Sequence, residues 1–155
     1  MFVYRISPCT YIEDLSGKGA SLFGGRWNTA GVSILYTASS ASLALLETIV
    51  HMIKVPKEDF CLVKLRLPET SFYELTAVDL PRNWSDFPAS TSLQSIGDQF
   101  IAEGKKLALM LPSAVMPAET IILLNPKHPE WKFVQKEFVQ KIYLDSRLLT
   151  ARKST

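Results

Sequence analysis

Three residues with distinct chemistry fall within a short span of the sequence: Arg26, Tyr36 and Glu47. Arg26 follows Gly24 and Gly25, and glycines let a backbone come close to a ligand. A guanidinium recognises phosphate or carboxylate through its planar fork. A carboxylate accepts hydrogen bonds from hydroxyl groups, and a phenol combines an apolar ring with a polar tip. Such a cation, aromatic ring and carboxylate could together hold a phosphorylated sugar.

Each of these residues also has a structural interpretation. Arg26 could form an ion pair with Glu47 or Asp14, and Tyr36 could be a core residue whose hydroxyl reaches water. The helix around Glu47 is apolar on nearly every side except for one narrow polar stripe, made by Ser40, Glu47, His51 and Lys54. That stripe could face solvent. Alternatively, Glu47 could form the wall of a pocket, because a carboxylate buried without a partner is costly.

The elements that position these residues follow from the apolar patterns. β-Branched and aromatic runs predict strands over residues 1–6, 32–37, 60–67, 72–75, 108–111 and 120–124. Helices are predicted over 41–53, with Ser39 or Ser40 as N-cap, and over 93–103. The glycine-rich stretch 11–24 is predicted to be a loop with one helical turn at most. Residues 133–143 could be helix or strand.

Because strands outnumber helices and do not alternate strictly with them, we expect an α+β fold with a mixed sheet. The 155 residues are most simply one domain, covering 1–155. Residues 80–95, rich in proline and serine, are predicted to be a connection between elements rather than a linker between domains.

Composition limits the class of protein. The net charge of +2 is too small to imply a polyanion partner, and the basic tail of Arg147, Arg152 and Lys153 is more typical of a solvated terminus than of a nucleic-acid arm. No apolar run approaches the ~18 residues of a membrane span. Cys9 and Cys61 match neither a metal-ligand pair nor a disulfide framework, which favours a reducing cytoplasm.

Other reactive groups do not form a known catalytic motif. Ser113 lies just beyond a predicted strand, where site residues are common. It has no nucleophile elbow around it, and His51 and His128 lie in unrelated contexts, so a serine hydrolase triad is unsupported. The run from Asn125 to Pro129 is typical of a turn. Neither a metal-ligand cluster nor a phosphate-binding glycine loop is visible.

The motifs together resemble the RES domain family, which is named for an arginine, a glutamate and a serine. The resemblance runs along nearly the whole chain, through Tyr4-Arg5-Ile6, Gly24-Gly25-Arg26-Trp27-Asn28, Tyr36, Leu45-Leu46-Glu47, Leu80-Pro81 with Trp84, Gly97-Asp98, Leu111-Pro112-Ser113-Ala114, Leu124-Asn125-Pro126 with His128-Pro129, and Asp145-Ser146-Arg147-Leu148. Each motif alone is unspecific. Their number and order carry the resemblance.

The resemblance implies the toxin of a bacterial toxin–antitoxin pair, with a fold similar to ADP-ribosyltransferases: a mixed, split β-sheet with flanking helices. Such toxins use NAD+ as substrate, without a metal, and degrade it by hydrolysis or phosphorolysis, while some members transfer ADP-ribose to a protein. The implied partner is an Xre-like helix-turn-helix antitoxin that covers the active site. Promoter DNA would be bound only through that antitoxin, in a higher-order complex.

By resemblance, the catalytic residues are Arg26, Tyr36 and Glu47, and the residues that contact NAD+ are Arg26, Trp27, Tyr36, Ser113 and Asn125. Glu47 would accept a hydrogen bond from a ribose hydroxyl and stabilise positive charge on the sugar. Arg26 would hold the pyrophosphate. Tyr36 would pack against nicotinamide or its ribose, and Ser113 would bind sugar or amide. One departure is Ile121, where many members have an asparagine two residues after the position of Glu119.

Two other functions stay open. One is a protein mono-ADP-ribosyltransferase on the same fold. The other is a non-catalytic or RNA-directed interaction domain that uses Trp27, Trp84 and the dispersed basic residues, for which binding to nucleic acid would depend steeply on salt.

Overall fold

The computed structural model describes residues 1–52, 56–69 and 72–150. Its strands are β1 (Phe2–Pro8), β2 (Leu35–Ala38), β3 (Phe60–Arg66), β4 (Phe72–Glu74), β5 (Ala108–Pro112), β6 (Thr120–Leu124) and β7 (Gln135–Ile142). Its helices are α1 (Lys18–Phe23), α2 (Ala41–Val50), α3 (Gln94–Glu103) and α4 (Arg147–Thr150). Short 3-10 turns are formed by Cys9–Tyr11, Ala77–Asp79, Thr91–Leu93 and Pro129–Phe133.

The strands form one seven-stranded mixed sheet in the order β4-β5-β6-β2-β1-β3-β7. Only the β4–β5 pair is parallel among the recorded pairings. β1 and β2 are joined by a single register pair, Tyr4 with Ala38, whereas β1 and β3 pair along seven residues. The sheet therefore consists of two halves that barely meet. This confirms the predicted α+β class and the split sheet.

Two apolar cores lie on opposite faces of this sheet. Side chains alternate between faces along a strand, and β6 shows it: Ile121 and Leu123 belong to one core, Ile122 and Leu124 to the other. The first core also contains Trp27, Leu43 and Phe100 and lies under α2 and α3. Apolar side chains on both faces explain why the run 120–124 contains no polar residue after Thr120.

Helix α2 begins where the sequence predicts. Ser40 is its N-cap in extended conformation (φ −139°, ψ 157°), and its hydroxyl accepts a hydrogen bond from Leu43 N at 3.0 Å. The helix ends at Val50, so it is shorter than predicted, and Lys54 of the predicted polar stripe lies outside the described residues. The predicted helix 93–103 is α3, which begins one residue later, at Gln94, directly after the 3-10 turn Thr91–Leu93.

Two predictions are corrected and one open choice is decided. Residues 11–24 contain a helix, α1, of six residues. Cys9 and Cys61 form a disulfide, with a Cα–Cα separation of 4.8 Å, although the sequence analysis found no disulfide framework, so the two cysteines do not support a reducing compartment. The segment 133–143, left open between helix and strand, forms the edge strand β7.

Within the described residues, no helix combines the length and the apolar character that crossing a membrane requires.

Candidate active site

A cavity of about 810 Å³ opens where the two halves of the sheet meet. Residues 4–6 of β1 and 36–38 of β2 form one side of it. The other sides are formed by α1, α2, the loop after α1 and residues 85, 87, 114, 115 and 121. Arg26, Tyr36 and Glu47 all line this cavity, so the structure brings together the three residues from which the sequence analysis starts. Its volume lies within the ~300–1,000 Å³ range of small-molecule sites.

The loop that carries Arg26 is shaped by glycine. Gly24 has a φ of 71°, a conformation that residues with a Cβ rarely adopt. A Cβ at Gly25 would lie 2.7 Å from the Tyr36 hydroxyl oxygen and 3.0 Å from Asn28 Oδ1. The glycine pair therefore lets the loop turn sharply and pack directly on the phenol of Tyr36.

Arg26 is anchored by carbonyl groups. Its Nη1 donates to Trp84 O at 2.8 Å and to Asp86 O at 3.0 Å. In the part of the chain that the structure describes, Arg26 forms no ion pair with Glu47 or Asp14, which were its alternative partners. Within the described residues, Arg26 makes its hydrogen bonds through Nη1 alone, so Nε and Nη2 are available for a ligand.

Tyr36 has both of the predicted properties, since it lines the cavity and packs against the core. Its hydroxyl donates to Asn28 Oδ1 at 2.7 Å and accepts from Trp27 N at 3.1 Å. Burial raises the pKa of Tyr36 above its usual value, so the phenol stays protonated and continues to donate. Tyr36 thus fixes the loop that carries Arg26.

Three further residues, Asn28, Gly97 and Asp98, hold this loop in place, and the sequence analysis gave them no role. Asn28 is fully buried, and its Nδ2 donates to Ala20 O and Val32 O at 3.0 Å each. Asp98 accepts from both Thr29 N and Thr29 Oγ1, at 3.0 and 2.8 Å.

Gly97 allows α3 to approach the loop, because a Cβ there would lie 2.0 Å from Trp27 O. The signals were present in the motifs that contain Asn28 and Gly97-Asp98, but spacing alone did not show that these motifs meet.

Trp27 serves mainly the core. Its side chain is only 1% exposed and belongs to the core cluster under α2 and α3, although the residue also borders the cavity. Its backbone N–H binds Tyr36, as described above. A contact of Trp27 with NAD+ stays a prediction.

Glu47 is oriented from behind by Ser113. The Ser113 hydroxyl donates to Glu47 Oε1 at 2.6 Å and accepts from Val115 N at 3.1 Å and Met116 N at 2.9 Å. Ser113 is fully buried and does not border the cavity, whereas Glu47 is half-buried and does. In this structure the serine hydroxyl therefore binds Glu47. This arrangement differs from the expected hydrogen bond to sugar or amide, because the single hydroxyl proton is already used.

The structure does not bring Asn125 to this site. Asn125 follows β6 at the end remote from the cavity, four residues after Ile121, a distance of about 13 Å along an extended strand. Its side chain is buried, and its Oδ1 accepts a hydrogen bond from Lys127 N at 3.0 Å. This bond is typical of a turn, as the sequence predicts for 125–129. Ile121 itself is an apolar part of the cavity wall, where the family resemblance suggested a polar group.

A second arginine, Arg5, also borders the cavity, from β1. Burial lowers the pKa of Arg5 below its usual value, and the nearby Asp14 partly opposes that effect. Its Nη1 reaches Ile12 O at 3.4 Å and Tyr11 O at 3.5 Å, both long contacts. The sequence analysis quoted the motif Tyr4-Arg5-Ile6 without giving Arg5 a role, because nothing in the spacing connects it with Arg26.

In the part of the chain that the structure describes, two arginines, Arg5 and Arg26, and one carboxylate, that of Glu47, therefore border the cavity. Among the residues that the structure describes, no cluster of three or more His, Cys, Asp or Glu side chains is placed to hold a metal ion. The arrangement is suited to a ligand with phosphate groups and sugar hydroxyls, since guanidiniums bind the former and a carboxylate the latter.

Comparison with known proteins gives consistent results. The model of the RES domain matches residues 2–144. The "Prs ADP-ribosylating toxin" of Sphingobium sp. (strain YBL2) is 39% identical over 142 residues, which covers 88% of each protein. "Toxin Res" of Photorhabdus laumondii is 35% identical over 156 residues, covering 99% of this chain and 100% of the relative.

A solved structure has the same fold. A chain in the crystal structure of the M. tuberculosis MbcT–MbcA toxin–antitoxin complex superposes with a TM-score of 0.73, at 18% identity, over 91% of this chain and 83% of that one.

Proposed function

The chain belongs to the RES domain family of toxins, and we propose that it consumes NAD+ by cleaving the bond between nicotinamide and ribose. The observation that carries this proposal is the single cavity that Arg26, Tyr36 and Glu47 share, with Glu47 held by Ser113. A cavity of about 810 Å³ is large enough for most of a dinucleotide.

The chemistry needs a well-placed negative charge more than a strong nucleophile. Cleavage of the nicotinamide–ribose bond gives the sugar oxocarbenium character, and nicotinamide leaves as a neutral molecule. A fixed carboxylate stabilises that developing positive charge without reorganising at the moment of reaction. In the described part of the chain, Glu47 makes its hydrogen bond through Oε1, so Oε2 is available to a ribose hydroxyl. Glu47 would thus both orient the sugar and stabilise the transition state.

The Arg26 guanidinium would hold the pyrophosphate, and the positive charge of Arg5 would add to its attraction. Nε and Nη2 of Arg26 are available, and Arg5 lies on the β1 side of the same cavity. Charge-assisted hydrogen bonds to phosphate are about twice as strong as neutral ones. Binding at the pyrophosphate would fix the remote half of the substrate, so that the nicotinamide ribose is delivered to Glu47. Tyr36 would pack against nicotinamide or its ribose.

The acceptor of ADP-ribose distinguishes two forms of the reaction. With water or inorganic phosphate as acceptor, the protein degrades NAD+. A second candidate is transfer to a protein, and the name of the Sphingobium relative, at 39% identity, supports it. Incubation with NAD+ labelled in the adenylate part and with cell lysate separates them: label on a protein band supports transfer, and label on free ADP-ribose or its phosphate supports degradation.

The decisive test compares intracellular NAD+ after induction of the wild type, Glu47→Ala and Arg26→Ala. We expect NAD+ to fall and growth to stop with the wild type only. A control variant, Glu103→Ala, removes a carboxylate that does not border the cavity and should behave like the wild type. If both site variants remain toxic or still deplete NAD+, this assignment of the site is wrong.

An antitoxin is the partner that this function requires. We propose that it is an Xre-like helix-turn-helix protein that covers the cavity, binds promoter DNA on behalf of the pair, and forms a higher-order complex with the toxin in the cytoplasm. The toxin–antitoxin complex of the similar solved structure supports a protein partner of this kind. A neighbouring gene of that type should relieve growth arrest when co-expressed and should copurify with this chain.

A further inference from the structure

Two strongly exposed phenylalanines stand at the mouth of the cavity. Phe23 is 86% exposed and Phe87 is 87% exposed, and both border the cavity. Large apolar side chains beside a cavity and open to solvent mark interaction sites. Neither ring contributes to the core clusters of the described residues. Other large apolar side chains are equally exposed, such as Val78 and Tyr143, but these two border the cavity, where a bound ligand would cover them.

The chain segments that carry the two phenylalanines both adjoin Arg26. Phe23 is the last residue of α1 and immediately precedes the Gly24-Gly25-Arg26 loop. Phe87 directly follows Asp86, whose carbonyl accepts from Arg26 Nη1 at 3.0 Å. The hydrogen bonds of Arg26 thus tie together the two segments that carry the phenylalanines. As a result, both phenylalanines lie on segments that adjoin Arg26.

The order of groups in NAD+ identifies what would occupy that end. The molecule consists of nicotinamide, ribose, pyrophosphate, ribose and adenine, in that order. With the nicotinamide ribose at Glu47 and the pyrophosphate at Arg26, adenine lies beyond Arg26, on the side of the two phenylalanines. Aromatic side chains bind nucleobases by stacking, without needing hydrogen bonds to the base edges.

We propose that Phe23 and Phe87 bind the adenine base of NAD+ by stacking at the cavity mouth, an inference that rests on the proposed function. Their role is to hold the adenylate half of the substrate, remote from the bond that breaks. The two rings therefore determine the preference for a dinucleotide over nicotinamide mononucleotide, which has the same scissile bond but lacks adenylate.

The test measures nicotinamide release from NAD+ and from nicotinamide mononucleotide by the wild type, Phe23→Ala, Phe87→Ala and the double variant. Stacking on a base is worth about 1–3 kcal/mol. Since the mouth is open to water, we expect the low end, a rise in KM for NAD+ of about fivefold for each variant. The kcat for NAD+ and the kcat/KM for the mononucleotide should change less than about twofold, because neither depends on adenine. A tryptophan at either position should give the KM of the wild type, because its ring can also stack on a base.

Phe133→Ala is the matched control. Phe133 is 56% exposed but does not border the cavity, so its loss should leave both substrates unaffected. A double variant with an unchanged KM for NAD+, or with an equal loss for both substrates, overturns the inference. An unchanged KM together with lost binding of a protein partner also overturns it and assigns the rings to that partner.

A binding measurement separates this inference from the proposed function. Calorimetry with the Glu47→Gln variant gives the Kd of NAD+ and of AMP without turnover. Loss of AMP affinity in the double phenylalanine variant supports an adenine site even if the wild type proves unable to cleave NAD+, a result that would overturn the proposed reaction alone. AMP affinity that is equal with and without the two rings overturns the adenine site.

Discussion

Ser113→Ala tests whether the buried serine acts on the substrate or on Glu47. The substitution removes the donor to Glu47 Oε1, at 2.6 Å, and the acceptor of Val115 N and Met116 N. A serine that bound NAD+ directly would contribute mainly to KM. A serine that orients the carboxylate would contribute mainly to kcat, because the carboxylate acts most strongly on the charge of the transition state.

The magnitude follows from these three hydrogen bonds. A hydrogen bond to a charged group contributes about 1.5–3 kcal/mol and an ordinary one about 0.5–1.5 kcal/mol. Glu47 is half-buried, so water compensates part of the first contribution. We expect the free energy of unfolding to fall by about 2–4 kcal/mol. Displacement of a catalytic group by about 1 Å can cost about 100-fold in rate, so kcat should fall by roughly that factor while KM changes little.

Steady-state kinetics with NAD+ and urea unfolding measure both effects, and a double-mutant cycle with Glu47→Gln locates their cause. In the Glu47→Gln background, Ser113→Ala should lower kcat by less than about threefold, because the group that it positions has lost its charge. Ser90→Ala is the control, since it removes a serine hydroxyl that hydrogen-bonds only the backbone N–H and the hydroxyl of Ser92 and does not border the cavity. A raised KM with unchanged kcat, or a full effect in the Glu47→Gln background, would refute the positioning role.

Three further predictions concern stability. Gly97→Ala should lower the free energy of unfolding by at least about 3 kcal/mol, seen as a lower Tm, because its Cβ would lie 2.0 Å from Trp27 O. Burial raises the pKa of Tyr36, so the folded protein keeps a proton that the unfolded chain releases. The stability advantage of the wild type over Tyr36→Phe should therefore be complete below pH about 10 and shrink above it by about 1.4 kcal/mol per pH unit, as urea unfolding at pH 9 and 11 would show. Reduction of the Cys9–Cys61 disulfide, which spans a sequence separation of 52, should lower the free energy of unfolding by about 2–4 kcal/mol.

Matched controls accompany these measurements. Gly19→Ala also adds a methyl group to a glycine, but no atom lies within 4 Å of the added Cβ, so the Tm should stay the same or rise. A variant with both cysteines replaced by serine should not respond to reductant. If Gly97→Ala and Gly19→Ala have the same Tm, the close approach of α3 to the loop is wrong, and a pH-independent difference between wild type and Tyr36→Phe would contradict the buried phenol.

Local signals were sufficient for the elements with a one-sided or continuous apolar pattern. The strands β3, β5 and β6 and the N-cap of α2 were predicted closely, because burial and capping chemistry specify them. β7 was left open because it is an edge strand whose residues are mostly exposed, so neither face imposes a pattern. α1 was missed because Gly17 and Gly24, which flank it at positive φ, made the whole stretch resemble a loop.

Long-range contacts could not be predicted from spacing. The disulfide depends on the register of β1 with β3, in which Ser7 pairs with Cys61, and nothing local to either cysteine shows that pairing. The same holds for the site. Arg26 and Glu47 could be proposed from their residue types, but the hydroxyl of Ser113 meets Glu47 across 66 residues, and Asp98 meets Thr29 across 69. The family resemblance supplied the grouping, and only the coordinates assigned Ser113 to Glu47.

The split in the sheet explains why the site lies where it does. Adjacent paired strands lie about 4.8 Å apart, a spacing that leaves no room for a nucleotide between them. β1 and β2 share one register pair, so beyond it they diverge and their side chains face a common opening. Tyr4 and Ile6 border that opening from one half of the sheet, and Tyr36 and Ala38 border it from the other. A substitution that extended the β1–β2 pairing would therefore stabilise the sheet and close the cavity together. On this reasoning, the weak pairing at the centre of the sheet leaves the space that the proposed binding of NAD+ would require.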